Sequence, residues 1–95
     1  MLNRKQAQEV KDFLHSKRIG RPVILLAISY ANLRDDELQV LMLRHLHGHT
    51  QERVAEELGV STNTVYNKEH SALECCYHAW KTVPLVIKLM DAARE

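Results

Sequence analysis

Apolar residues recur at helical spacing through most of the chain, and their clearest arrangement lies in its second half. Val54 and Leu58 stand four positions apart, which places both on one face of a helix. Gly59 follows where a helix ends in a residue with positive φ, Val60 is expected in the core, and Val65 in the next helix's first turn. This order predicts two helices joined by a tight turn, a helix-turn-helix, which can place its second helix in the major groove of DNA.

Two hydroxyl side chains strengthen this interpretation. Thr50 and Ser61 each precede one of the two helical runs, where a side-chain oxygen can cap the first free N–H groups. An ordinary helical corner that only builds core remains an alternative, and some helix-turn-helix units bind protein instead of DNA.

The same periodicity predicts five or six helices without a linker, at about residues 3–17, 22–31, 35–47, 51–58, 62–81 and 85–93. Gly20 is expected to stop the first helix, and Pro22 to lie in the first turn of the second. The second helix contains the run VILLAI and is apolar nearly all round, so we expect it to be the central buried helix. A short buried strand is the alternative for that run.

The last predicted helix is also apolar on almost every side, which leaves a surface that needs cover. It either folds back on the domain or meets a second copy of the chain, and a dimer would fit a regulator that reads a two-fold site. The apolar residues are Leu85, Val86, Ile87, Leu89 and Met90.

Composition sets the fold class. The 95 residues suffice for one domain. Only three glycines and two prolines interrupt possible helices, and Val/Ile/Thr-rich alternating runs, which would predict strands, are absent. We therefore predict an all-α, compact five- to six-helix domain over residues 1–95. Its helix-turn-helix core spans 33–81, and an extra C-terminal helix spans 84–94.

Charge argues against a DNA-binding protein, because the formal net charge is only +1 and phosphate neutralisation supplies most non-specific affinity. An uneven distribution, with acidic residues on the far face, would remove this objection. Lys17, Arg18 and Arg21 form a local basic cluster, which either touches DNA beside the motif or is a solvated turn.

The cysteines and the apolar runs bear on location. Adjacent Cys75 and Cys76 would be strained as a disulfide, so we expect a reducing cytosol and two small hydrophobes on the inner side of the long helix. The first residues lack the apolar core of a signal peptide, and the longest apolar run is too short to span a bilayer. A cytoplasmic, nucleoid-associated protein with no membrane partner is expected.

Histidines are numerous but do not form a recognisable ligand set. His45, His47 and His49 alternate across a helix end, and Cys75 and His78 are three residues apart. Zinc needs three or four convergent ligands, which these spacings do not provide. Phosphate-binding glycine loops and nucleophile motifs are also absent, so we predict no metal, no cofactor and no enzymatic activity.

Residues 33–73 resemble region 4 of bacterial sigma factors and, more distantly, the LuxR-type regulator domain. The matching residues are Leu33, Glu37, Val40, Leu41, Leu43, Arg44, Gly48, Thr50, Val54, Ala55, Glu57, Leu58, Gly59, Val60, Ser61, Val65, Glu69, Ala72 and Leu73. Three departures stand out. Lys68 replaces a usually apolar residue, and the recognition helix of the motif carries no arginine. The sigma region that binds the other promoter element is missing. The resemblance therefore implies a small stand-alone regulator, of the kind found in phages and mobile elements, rather than a complete sigma factor.

The resemblance also implies a set of DNA-contacting residues. Base edges would be met by Thr62, Asn63 and Asn67, since asparagine can pair with adenine and threonine can touch a thymine methyl. Phosphates would be met by Thr64, Tyr66 and, if exposed, Lys68. At the start of the preceding helix, phosphate would be held by Thr50, Gln51 and Arg53. A solvated helix face is the alternative for the whole set.

These observations favour a sequence-specific transcriptional regulator that binds double-stranded DNA as a homodimer, with residues 62–80 as the recognition helix. One alternative is an interaction module that docks on RNA polymerase or another regulator. Another is a DNA-binding subunit in phage DNA packaging or recombination.

Overall fold

A computed structural model describes residues 2–94 of the chain, and this part is entirely helical apart from its turns. The elements are α1 (Arg4–Leu14), α2 (Arg21–Ser29), α3 (Asp35–Leu41) with a π-helical continuation (Met42–Leu46), α4 (Gln51–Leu58), α5 (Thr62–Trp80) and α6 (Pro84–Arg94). The predicted all-α fold is confirmed, and the strand alternative for the VILLAI run is wrong. No helix of the described part is both long and apolar enough to cross a bilayer.

The long helix α5 lies at the centre of the fold. Its stripe of Val65, Ala72, Leu73, Cys76 and Trp80 is fully buried, and α1, α3 and α4 pack around it. The Trp80 indole anchors α2, because its Nε1 donates to the carbonyl oxygen of Ala27 at 2.6 Å. The apolar positions at helical spacing on α5 thus organise most of the core.

The helix-turn-helix forms as its local signals predict. Thr50 Oγ1 accepts from the N–H of Arg53, and Ser61 Oγ accepts from the N–H of Thr64, so both helices are capped. Gly59 ends α4 with φ 67°, and the N–H of Val60 donates to the carbonyl of Ala55, the Schellman pattern.

Val60 itself was expected in the core, and that prediction is wrong. Its side chain is 38% exposed. The backbone hydrogen bond back to Ala55 turns the chain at this point and leaves the side chain outside the small cluster of Val40, Val54, Ala55 and Val65.

The first helix is shorter than predicted, and Gly20 does not stop it. α1 ends at Leu14, and His15 is its cap. Gly20 has φ −63° and extended backbone, and its carbonyl already accepts from the N–H groups of Val23 and Ile24. It is therefore the N-cap of α2.

Helix α2 is not the central buried helix. Only Ile24, Ala27 and Ile28 are buried, whereas Leu26 is 56% exposed and Leu25 lies on the surface beside it. The longer α5 occupies the centre, and the nine-residue α2 packs against the core along one face only.

The C-terminal helix folds back on the domain, one of the two predicted ways to cover its apolar surface. It packs against α1, with Val86 buried and Met90 half-buried against the main cluster. Leu85 stays 62% exposed and Ile87 is exposed beside it. The cover is therefore partial.

The two cysteines differ, although both were expected on the inner side of α5. Cys76 is buried, and burial raises the pKa of its thiol to about 12, whereas Cys75 is exposed. Consecutive helical positions point about 100° apart, which separates the two environments. Both thiols are free.

Candidate nucleic-acid interface

The first two turns of α5 carry an exposed polar surface. We call Thr62, Asn63, Tyr66 and Asn67 the exposed face, because all four are exposed and pair at a spacing of four residues. Within the described part of the chain, the side-chain amides of Asn63 and Asn67 form no hydrogen bond. Their donors and acceptors are therefore available to a ligand.

Tyr66 and Thr64 are more committed to their neighbours. Tyr66 is 46% exposed, and its ring lies 4.2 Å from that of His70, one turn further along α5. The hydroxyl of Thr64 lies 2.9 Å from that of Ser61, within the cap of the helix. Of the two, Tyr66 keeps more freedom to meet a ligand.

Lys68 is half-buried and forms an ion pair with Asp36 on α3. The hydrogen bond from Lys68 lowers the pKa of the Asp36 carboxyl. A cation can occupy a usually apolar position here because a carboxylate from the neighbouring helix receives it.

The N-terminus of α4 holds the other predicted contacts. Thr50 is used as the cap, whereas the Arg53 guanidinium is exposed and lies 3.3 Å from Glu57. Gln51 is half-buried, and its Nε2 donates to Glu69 at 3.2 Å. Of these three, only Arg53 is charged, and its guanidinium reaches solvent while it pairs with Glu57.

A buried carboxylate ties α4 to α5. The Oε2 of Glu69 lies 3.2 Å from Arg44 Nε and 2.7 Å from His45 Nε2, while its Oε1 accepts from Gln51. Burial alone would raise the pKa of Glu69, but His45, Arg44 and Gln51 outweigh it and bring it to about 2. Glu69 is therefore a fixed anion beneath the helix-turn-helix.

The network continues to the surface on both sides. His45 Nδ1 lies 2.9 Å from Nε2 of His15 at the end of α1, and Arg44 also donates to the carbonyl of His49 at 2.7 Å. The turn before α4 is thus braced by the same arginine that binds Glu69.

Sequence reasoning named Glu69 only as a matching position and missed its role. An acid four residues after buried Val65 and three before buried Ala72 lies on the buried stripe. Such a position requires a cationic or donor partner, which is the signal that could have identified it.

The histidines at positions 45, 47 and 49 do not point toward a common centre. The rings of His47 and His49 are 6.1 Å apart, and His45 is turned toward Glu69. The described residues contain no group of three or more His, Cys, Asp or Glu side chains placed to hold an ion.

Comparisons with known proteins place the motif in a wider group. The family model described as Sigma-70, region 4 matches residues 31–78, from just after α2 to the last turn of α5. No curated protein and no solved structure matches the chain significantly.

Proposed function

The chain belongs to the sigma-70 region 4 family, and on that premise we propose that it is a sequence-specific regulator of transcription that reads DNA with α5. The family is one of DNA-binding helix-turn-helix regions. The recognition helix would enter the major groove by its N-terminal turns while α4 crosses the backbone.

The observation that carries the proposal is that the exposed face carries polar side chains without hydrogen-bond partners in the described part of the chain. Asn63 and Asn67 carry free amides one turn apart, and Thr62 opens the same helix. An asparagine amide can bind adenine N6 and N7 together, and a threonine methyl can contact that of thymine.

Backbone contacts would come from the start of α4 and from Tyr66. Thr50 and Gln51 would bring the free N–H groups of the helix N-terminus to a phosphate, and Arg53 would add a charge. Thr64 would contribute least to these contacts, because its hydroxyl and its backbone N–H both already serve the Ser61 cap.

The low net charge is compatible with this proposal because no acid lies in the turn or in the first two turns of α5, and the nearby acids Glu52 and Glu57 belong to α4. No Asp or Glu occurs between positions 58 and 68, which include the turn and the first two turns of α5. Local charge, rather than the total of +1, governs attraction at this surface.

The test is fluorescence anisotropy with a labelled pool of random duplexes, titrated from low to high salt. Affinity that falls steeply with salt is expected, because cations released from neutralised phosphates drive binding. No binding at low salt would overturn the proposal.

A second candidate function is docking on RNA polymerase or another regulator. The exposed side chains of Leu25 and Leu26 on α2, and of Tyr30 at its C-terminal end, favour it, since they form apolar surface on a charged domain. Polymerase capture by a chain that lacks DNA affinity, abolished by Leu26→Glu, would select this function.

A further inference from the structure

A basic cleft of about 390 Å³ lies between the end of α1, the start of α2 and the residues that follow the π-helical segment. Leu14, Ile24 and Leu46 are among the apolar residues of its lining. It is separate from the exposed face of α5, none of whose residues line it.

The ionisable side chains that line this basic cleft are all basic: His15, Lys17, Arg21, His45 and His47. Among the described residues around it, no lining side chain is acidic. Burial, together with His45 and Arg44, lowers the pKa of His15, and Glu69 lies 2.7 Å from His45, so Lys17 and Arg21 carry the positive charge of the cleft. The cleft is therefore suited to an anion.

Arg21 is held at this cleft by a hydrogen bond within the protein. One of its terminal nitrogens donates to the carbonyl oxygen of Leu46 at 3.1 Å. A guanidinium has five N–H donors, so this bond fixes the group and leaves others for a ligand. Lys17 is exposed beside it.

The cleft also lies close to the expected path of the DNA backbone. Leu46 lines it and stands only four positions before Thr50, a span of at most about 14 Å. Successive phosphates of one strand rise by about 3.4 Å, so a few of them cover this distance. Arg44 and Arg21 brace the connecting turn at His49 and Leu46.

We propose that the basic cleft binds a backbone phosphate of DNA outside the groove read by α5. This inference rests on the proposed function. The side chains from α1 and α2 precede residue 31, where the family match begins, so the contact would be an addition made by this chain's own N-terminal helices. It would lengthen the footprint without reading bases.

The test compares two doubly neutralised variants by anisotropy across a salt series. Lys17→Gln with Arg21→Gln removes two charges from the cleft, and Lys5→Gln with Lys88→Gln removes two exposed charges that line neither the cleft nor the exposed face. On a duplex extending a full turn beyond the selected site, the cleft variant should lower the salt slope by about 1–2. On a duplex trimmed to the site, both variants should match the wild-type chain.

Lys17→Gln alone guards against a folding defect, since Arg21 also braces Leu46; its slope should fall by about 1. Equal slopes for cleft and control variants would overturn the proposal while leaving groove reading by α5 intact.

If the wild-type chain binds no duplex at all, the proposed function and the DNA-phosphate site both fail. Titration with inorganic phosphate then shows whether the cleft binds a free phosphate. Saturable shifts of the His15 and His47 imidazole NMR signals would show that the ligand of the cleft is a soluble phosphate and not the DNA backbone. No shift would remove the anion site altogether.

Discussion

Lys68 directly follows the exposed face of α5 in the sequence, and its ammonium group pairs with the Asp36 carboxylate. Replacing that carboxylate should release the ammonium group for a phosphate. If α5 reads DNA as proposed, this single pair would restrain how strongly the helix-turn-helix attracts it.

We predict that Asp36→Asn strengthens binding to random duplex about 2–5-fold at low salt and steepens the salt slope by about 1. The matched control is Asp35→Asn, which removes the neighbouring exposed acid from the same first turn of α3. If anisotropy gives equal changes for the two variants, release of Lys68 is not the cause.

Glu69 links stability to pH. Its pKa is about 2 in the folded protein against an ordinary value of 4.5, so the folded state favours the anion. The stabilisation is fully present above pH 4.5 and is lost as the pH falls toward 2.

We predict that Glu69→Gln is less stable than the wild-type chain at pH 6 and that this gap closes between pH 4.5 and 2. Urea denaturation at a series of pH values measures it. A gap that stays constant through this window would show that the Glu69 carboxylate is not stabilised by Arg44 and His45.

At the scale of helices, the sequence predicted the α4 bounds correctly and the α5 start correctly because their ends are set locally. Thr50, Gly59 and Ser61 act on residues three or four positions away. The exposed face was accessible to the same reasoning, since helical spacing alone groups Asn63 with Asn67.

The overestimated burial of α2 and the missed contacts of Glu69 have a tertiary origin. The burial of α2 was overestimated because hydropathy does not tell which helix takes the centre, and α5 is twice as long. Arg44 and Gln51 lie 25 and 18 positions from Glu69, and the His15–His45 contact spans 30 positions, so no local pattern links these residues or those of the basic cleft.

The turn between α4 and α5 can be tested through its glycine. Gly59→Ala should cost about 1–2 kcal/mol, because an alanine Cβ is strained at φ 67°. Gly20→Ala is the control, since its backbone is extended and a Cβ there meets Pro22 Cδ at an ordinary 3.8 Å. Thermal unfolding of both variants measures the costs, and equal losses would contradict the role of the left-handed cap.

At the scale of the whole molecule, the partial cover of α6 bears on assembly. Leu85 and Ile87 stay exposed on a helix that otherwise packs on α1, and they are the surface left for a second copy. We predict a homodimer by sedimentation equilibrium that Leu85→Glu dissociates, while Leu26→Glu on α2 leaves it intact. A monomeric wild-type chain would contradict this prediction, and a ring-like oligomer would favour a packaging or recombination role.

The central claim is that α5 reads bases, and selection of bound duplexes from a random pool tests it most directly when wild-type and Asn67→Ala chains are compared. Loss of preference at one or two adjacent positions is expected, with a cost of about 1–3 kcal/mol on the wild-type site and the rest of the motif retained. An unchanged motif and affinity for Asn67→Ala, and likewise for Asn63→Ala, would contradict the assignment of α5 to the groove.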